Sequence, residues 1–102
     1  MARIDEQIEN EFEEELELEE PRLYKVMLLN DDYTSMDFVI TVLTEVFHQS
    51  SEKATAIMYN IHETGSGLCG VYIYEIAETK IAQVHTLAKE HQFPLRATME
   101  EE

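Results

Sequence analysis

Leu23-Tyr24-Lys25-Val26-Met27-Leu28-Leu29-Asn30-Asp31-Asp32-Tyr33-Thr34-Ser35-Met36-Asp37-Phe38-Val39 is the stretch that decides the fold. Its first seven residues are apolar and partly β-branched or aromatic, the composition of a short strand. Asn30 to Thr34 is loop chemistry, because Asn, Asp and Thr side chains bond nearby backbone groups and interrupt regular structure. Thr34 or Ser35 is placed to cap a helix. Asp37 falls in that helix's first turn, where the dipole favours an acid. Met36, Val39, Ile40, Leu43, Val46 and Phe47 then keep the helical period, which predicts a helix over 36–47.

Downstream, Ser50-Ser51-Glu52 starts a second helix, with Ala54, Ile57, Met58 and Ile61 as its apolar stripe. Gly65-Ser66-Gly67 breaks it. Leu68 to Tyr74 reads as a second strand, in which Gly70 predicts a bulge or a close backbone approach. A third helix is expected over 75–91, with Ala77, Ile81, Val84 and Ala88 on one face. Pro94 ends it, and Leu95 to Met99 forms a last strand. The order β-α-α-β-α-β predicts an α+β domain, a small three-stranded antiparallel sheet with three helices on one face.

Upstream, the character of the chain changes. Of its 102 residues, 22 are Asp or Glu and 7 are Lys or Arg, a formal charge of −15. Residues 1–20 hold ten of the acids and one base, Arg3, and so carry −9. The only large apolar side chains there after Met1 are Ile4, Ile8, Phe12, Leu16 and Leu18. That is too little to offset the ordering entropy of a packed segment. The first four recur every four residues, so a transient or partner-induced helix is one reading. A solvated acidic leader is the other. Pro21 marks the boundary between a leader over 1–21 and a folded domain over 22–102.

These numbers exclude several classes of function. The chain is the size of one domain, with a core too small for a large internal active site. Clustered Lys and Arg for a phosphate backbone are missing, so no nucleic-acid partner is expected. No apolar run approaches the ~20 residues that span a bilayer, and the first residues do not read as a signal peptide. The single cysteine, Cys69, makes neither an internal disulfide nor a thiolate zinc site. A cytoplasmic, monomeric protein without metal or cofactor is the expectation.

The residues that can carry chemistry are few. Asp31 and Asp32 are sequence neighbours and point apart in extended backbone, which argues against an acid/base dyad. With the Asn30 amide, one carboxylate can receive a cationic group. His62, near the end of the second helix, is a capping residue or a partner for an ammonium. His48, His85 and His91 make no metal spacing with it. Cys69 reads as a small apolar strand residue. Met36 and Met58 are ordinary core residues or the adaptable walls of a shared apolar pocket. From residues alone, the domain is a small acidic binding module with a polar-rimmed pocket near Asn30, Asp31 and His62.

The run Leu29 to Val39 resembles the signature of the ClpS family. Ala54-Thr55, Met58 and Ile61-His62 agree with it in order and spacing. So do Cys69-Gly70-Val71, Glu75-Ile76-Ala77-Glu78-Thr79-Lys80 and His91-Gln92-Phe93-Pro94-Leu95. The resemblance spans about Pro21 to Met99. It implies a fold similar to the C-terminal domain of the ribosomal stalk protein. It also implies an adaptor rather than an enzyme, which binds the free first residue (Leu, Phe, Tyr or Trp) of N-degron substrates. Such an adaptor delivers them to a Clp-family AAA+ unfoldase, ClpA- or ClpC-like, for ATP-dependent proteolysis. Position by position, α-amino recognition falls on Asn30, Asp31 and His62. The side-chain pocket falls on Asp32, Thr34, Met36, Val39, Met58, Ile61 and Leu95, and contact with the unfoldase's N-terminal domain on Glu75 and Lys80. Ser35 stands where the family commonly has Pro, and Ile61 where other members carry Val or Leu. Two alternatives remain at this point: a regulatory module that binds the unfoldase without reading N-termini, and a small hydrolase using His62, Cys69 or the aspartates.

Overall fold

The computed structural model of the chain describes residues 20–102. The acidic leader expected over 1–21 therefore falls almost wholly outside the described residues. The elements are β1 (Leu23–Leu29), α1 (Met36–Glu45), α2 (Ser51–Thr64), β2 (Ser66–Ile73), α3 (Tyr74–Glu90) and β3 (Arg96–Glu101). The sheet order is β2-β1-β3, and both pairings are antiparallel. The chain is thus the α+β domain that its periodicities predict.

Local chemistry sets the element ends. Ser35 caps α1, its Oγ accepting from the Phe38 N–H at 3.2 Å, and Ser50 caps α2 through the Lys53 N–H at the same distance. These contacts satisfy N–H groups that have no partner inside the helix. Gly65 closes α2 with φ +97°, a left-handed conformation open to glycine at little cost. α1 stops two residues short of the expected end. Val46 and Phe47 stay buried, but His48 takes φ +56° and turns the chain away.

Alternation along the strands divides the sheet into two faces. Val26, Leu28, Cys69 and Ala97 are buried on the helix side, with Val42, Leu43, Met58, Ile61, Ala77, Val84 and Leu95 among their core companions. The β1–β2 register slips between Val26 and Met27: Val26 pairs with Gly70 and Met27 with Leu68, leaving Cys69 as the extra residue of a bulge. The bulge expected at Gly70 is therefore next to it, and what lies close over that glycine is the ring of Tyr72, a side chain rather than another backbone segment. No polar side chain among the described residues is buried.

Candidate functional site

The C-terminal end of β1 and the C-terminal end of α2 are tied together by one bond. The Asn30 N–H donates to the Gly65 carbonyl at 2.8 Å. This contact sets the loop 30–35 beside the last turn of α2, so that Asn30 and His62 open onto one cavity.

The loop is shaped by Asp31. Its Oδ1 accepts from the Tyr33 N–H at 2.8 Å and the Thr34 N–H at 2.6 Å, and its Oδ2 from the Thr34 hydroxyl at 2.7 Å. Burial pushes the Asp31 carboxyl up, but the bonds from Thr34 and Tyr33 outweigh it and hold the group below its ordinary 3.8. Asp31 is therefore a fixed negative charge. A carboxylate has about four acceptor positions, so three local bonds leave one for an incoming donor.

The cavity is about 220 Å³ and is lined by Asn30, Asp31, Asp32, Thr34, Met36, Val39, Met58, Ile61 and His62. Val39, Met58 and Ile61 are buried and make an apolar floor. Asn30, Asp32 and His62 are exposed at the rim, and Met36, 45% exposed, stands among them. Buried Gly67 backs the floor: a Cβ there would come within 2.5 Å of Ile61 Cγ1, so glycine is what lets Ile61 seat. An engineered apolar cavity of about 150 Å³ holds benzene, so this one has room for a large apolar side chain.

The structure brings together nine of the ten residues expected for the α-amino and side-chain sites. The tenth, Leu95, is not among the residues lining this cavity. It is 3% exposed, belongs to the core, and where it meets open space it borders a different hollow with His85, Ala88 and Phe93. Pro94-Leu95 precedes β3, with Pro94 exposed and Leu95 packed in the core cluster.

Glu75 and Lys80 lie apart from the cavity, on α3. Glu75 is exposed in the first turn. Lys80 is half-buried, its Nζ donates to the Val46 carbonyl at 2.7 Å, and it lies 5.8 Å from the Tyr72 ring centroid. Val46 is the C-cap of α1, so the ammonium satisfies an orphan carbonyl at the negative end of a helix dipole. Five residues apart, Glu75 and Lys80 project about 140° from each other around the helix. Neither this tie nor the Gly67–Ile61 approach has a local sequence signal.

Two larger hollows exist, of about 640 Å³ between the end of α1 and α3, and about 520 Å³ at the end of α3. Size does not make them the better site. Among these three hollows of the described residues, the smallest is distinguished by a carboxylate held by three hydrogen bonds, Asp31, above a floor of buried Val39, Met58 and Ile61. Cys69 is fully buried, and burial pushes its thiol up to about 12, so it is a neutral core residue. Among the described residues no three His, Cys, Asp or Glu gather as a metal site, and no helix is long and apolar enough to cross a membrane.

A fixed carboxylate and an amide above one apolar socket define a small recognition domain, suited to a ligand with a cation beside a single large apolar group. The chain belongs to the ClpS family of ATP-dependent Clp protease adaptor proteins, whose family model matches residues 19–98. It is 58% identical over 87 residues to an ATP-dependent Clp protease adapter protein ClpS of Oleidesulfovibrio alaskensis, covering 85% of this chain and 84% of that one. It is 50% identical over 96 residues to the ClpS of Syntrophus aciditrophicus, covering 88% and 90%. A structure of Agrobacterium tumefaciens ClpS2 bound to L-phenylalaninamide superposes with a TM-score of 0.78 at 48% identity, covering 80% of this chain and 99% of that one.

Proposed function

We propose that the cavity reads the first residue of N-degron substrates and that the chain delivers them to a Clp-family AAA+ unfoldase. The observation that carries this reading is the lining of one cavity by Asn30, Asp31 and His62 over Val39, Met58 and Ile61. L-Phenylalaninamide, the ligand of the A. tumefaciens relative, has the same two parts, an α-amine and an aromatic side chain.

The α-ammonium brings three donors. The free acceptor position of Asp31, the Asn30 side-chain oxygen and a ring nitrogen of His62, directly or through water, receive them. The apolar side chain enters between Val39, Met58 and Ile61, with Met36 at the mouth disfavouring β-branched first residues. Hydrogen bonds to a charged group contribute roughly 1.5–3 kcal/mol each, and burying a Leu or Phe side chain about 1.5–3 kcal/mol. Association costs roughly 4–15 kcal/mol. Against the middle of that range neither the three bonds nor the buried side chain suffices alone, so the site requires a free amine and a large apolar side chain together.

The remaining roles follow from the family. Glu75, exposed on α3, meets the unfoldase's N-terminal domain, and Lys80 contributes there while bracing α1. The chain acts as a monomeric cytoplasmic adaptor rather than an enzyme, and ATP chemistry belongs to the ClpA- or ClpC-like partner. Residues 1–21 act as an extension to the domain 22–102.

The test is a fluorescence-anisotropy titration of labelled peptides beginning with free Phe, acetylated Phe and Ile. Saturable binding of the free-Phe peptide alone is expected. Equal binding of the acetylated peptide overturns the amine-plus-socket reading. Absence of binding by all three leaves a module that engages the unfoldase without reading N-termini.

A further inference from the structure

Side chains of a regular strand alternate between faces, so in β2 Gly67, Cys69 and Val71 should share one face and Leu68, Gly70 and Tyr72 the other. They do not. Gly67 and Cys69 are buried and Val71 is exposed, while Gly70 stands opposite the core residue Val26 and Tyr72 packs against the core. The parity changes at the bulge, where Cys69 has no partner in β1. Without the extra residue the segment before it would shift by one place, and Leu68 instead of Gly67 would face the helices. The space there does not admit a leucine. A Cβ alone at residue 67 comes within 2.5 Å of Ile61 Cγ1 and 3.4 Å of Ile57 Cγ2. The bulge therefore decides that glycine backs the cavity floor.

One side chain from outside the strand holds this bulge. Gln49 Nε2 donates to the Cys69 carbonyl at 2.9 Å, across 20 positions of sequence. The Gln49 backbone N–H donates to the carbonyl of buried Leu43, in α1, at 3.1 Å. Gln49 is thus anchored on α1 by its main chain and on the bulge by its amide, and it does not line the cavity. Taking the cavity as the seat of a substrate's first side chain, we propose that Gln49 is a positioning residue for the socket. Its amide holds the bulge in register, the bulge keeps Gly67 behind Ile61, and Ile61 so seated sets the largest first side chain that fits. Without the amide the Cys69 carbonyl is released. A bulge displaced toward Ser66 would pair Cys69 with Met27 and Leu68 with Leu28, and the leucine would drive Ile61 forward into the cavity.

The experiment titrates Leu-, Phe- and Trp-first peptides by anisotropy against the full chain and three variants. Gln49→Met and Gln49→Glu keep the side chain's length and lack the donor, and Gln49→Lys restores one. In the same proteins, NOEs between the Gly67 α-protons and the Ile61 methyls report the floor directly. In Gln49→Met and Gln49→Glu, Phe-first and Trp-first peptides are expected to lose about tenfold more affinity than the Leu-first one, the effect of about one methylene in an apolar pocket. The NOEs are lost with it, and both return in Gln49→Lys. Combined with Gly67→Ala, Gln49→Met should cost less selectivity than it does alone, because both act through Ile61. Equal losses for the three peptides overturn the proposal, even with a lowered melting temperature, and leave Gln49 a structural tie. NOEs that persist in Gln49→Met overturn it too, and so does full additivity with Gly67→Ala. A parent chain that binds none of the peptides is a different failure, which sinks the reading of the cavity and the size-setting role with it.

Discussion

Thr34 donates twice to Asp31, through its backbone N–H at 2.6 Å and its hydroxyl at 2.7 Å, so the carboxylate that faces the cavity is also the scaffold of the loop that bears it. Asp31→Ala is therefore expected to do two things. It removes the negative charge at the rim, and a labelled Phe-first peptide should bind at least about tenfold more weakly, the equivalent of about 1.4 kcal/mol. It also removes the part-buried bonds from the Thr34 N–H and hydroxyl, at a cost of about 0.5–1.5 kcal/mol each in a urea melt, while water replaces Asp31 at the exposed Tyr33 N–H. Wild-type affinity in this variant would remove Asp31 from the recognition site.

Gly67 gives a prediction about socket depth. An alanine there forces Ile61 to move, and overpacking of this kind costs about 1–3 kcal/mol. Ile61 yields toward the cavity, where there is space. Gly67→Ala should lower affinity for Trp-first and Phe-first peptides more than for Leu-first ones. Equal losses across the three would show that Ile61 moved elsewhere.

Lys80 separates stability from delivery. Lys80→Met keeps much of the aliphatic stem and removes the ammonium from the Val46 carbonyl. The loss of a charged hydrogen bond predicts about 1.5–3 kcal/mol in a denaturant titration. Binding of the Phe-first peptide should be unchanged, because the cavity is lined by other elements. A variant as stable as the parent would show that the bond contributes nothing in solution.

Binding should have an alkaline limit set by the ligand. An α-amino group titrates near about 7.7–8.0, so affinity should fall as the pH rises through that range. A Phe-first peptide whose α-amine titrates at a higher pH should carry this limit upward with it, and an unmoved limit would assign it to the protein. The acid limit belongs to the protein. Asp31 is held below 3.8 in the folded state, so its contribution to stability is present above the unfolded value and is lost as pH falls through the folded one. Asp31→Asn should flatten the dependence of stability on pH below the ordinary carboxylate range. An unchanged acid limb in that variant would assign it to other groups.

The strand Leu23–Leu29 was legible because its apolar run meets the side-chain chemistry of Asn30 and Asp31 at a sharp border. The helix caps Ser35 and Ser50 and the C-cap Gly65 were legible for a similar reason, since each residue type satisfies one backbone requirement. The end of α1 was not, because Val46 and Phe47 keep the apolar period after the chain has left the helix. At the site, Asn30, Asp31 and His62 could be grouped from their types, and the family signature supplied the rest of the lining. Leu95 was harder to place, because an apolar residue at the end of the sheet can serve a socket, a core or both. The tie from Lys80 to Val46 joins residues 34 apart. Nothing local announces such a pair.

The bond from Asn30 to the Gly65 carbonyl has a consequence for quality control. It joins two segments separated by 35 positions, each holding part of the recognition surface. A chain that has formed β1 but not α2 offers a carboxylate without a floor, and one with α2 alone offers a floor without a carboxylate. Neither partial structure can hold a ligand, so a half-folded copy cannot sequester substrates that it is unable to hand on. The ligand in turn favours only the completed fold, by RT ln(1 + [L]/Kd). A rise in melting temperature with added Phe-first peptide would therefore count intact molecules, and a purified preparation can be graded by it.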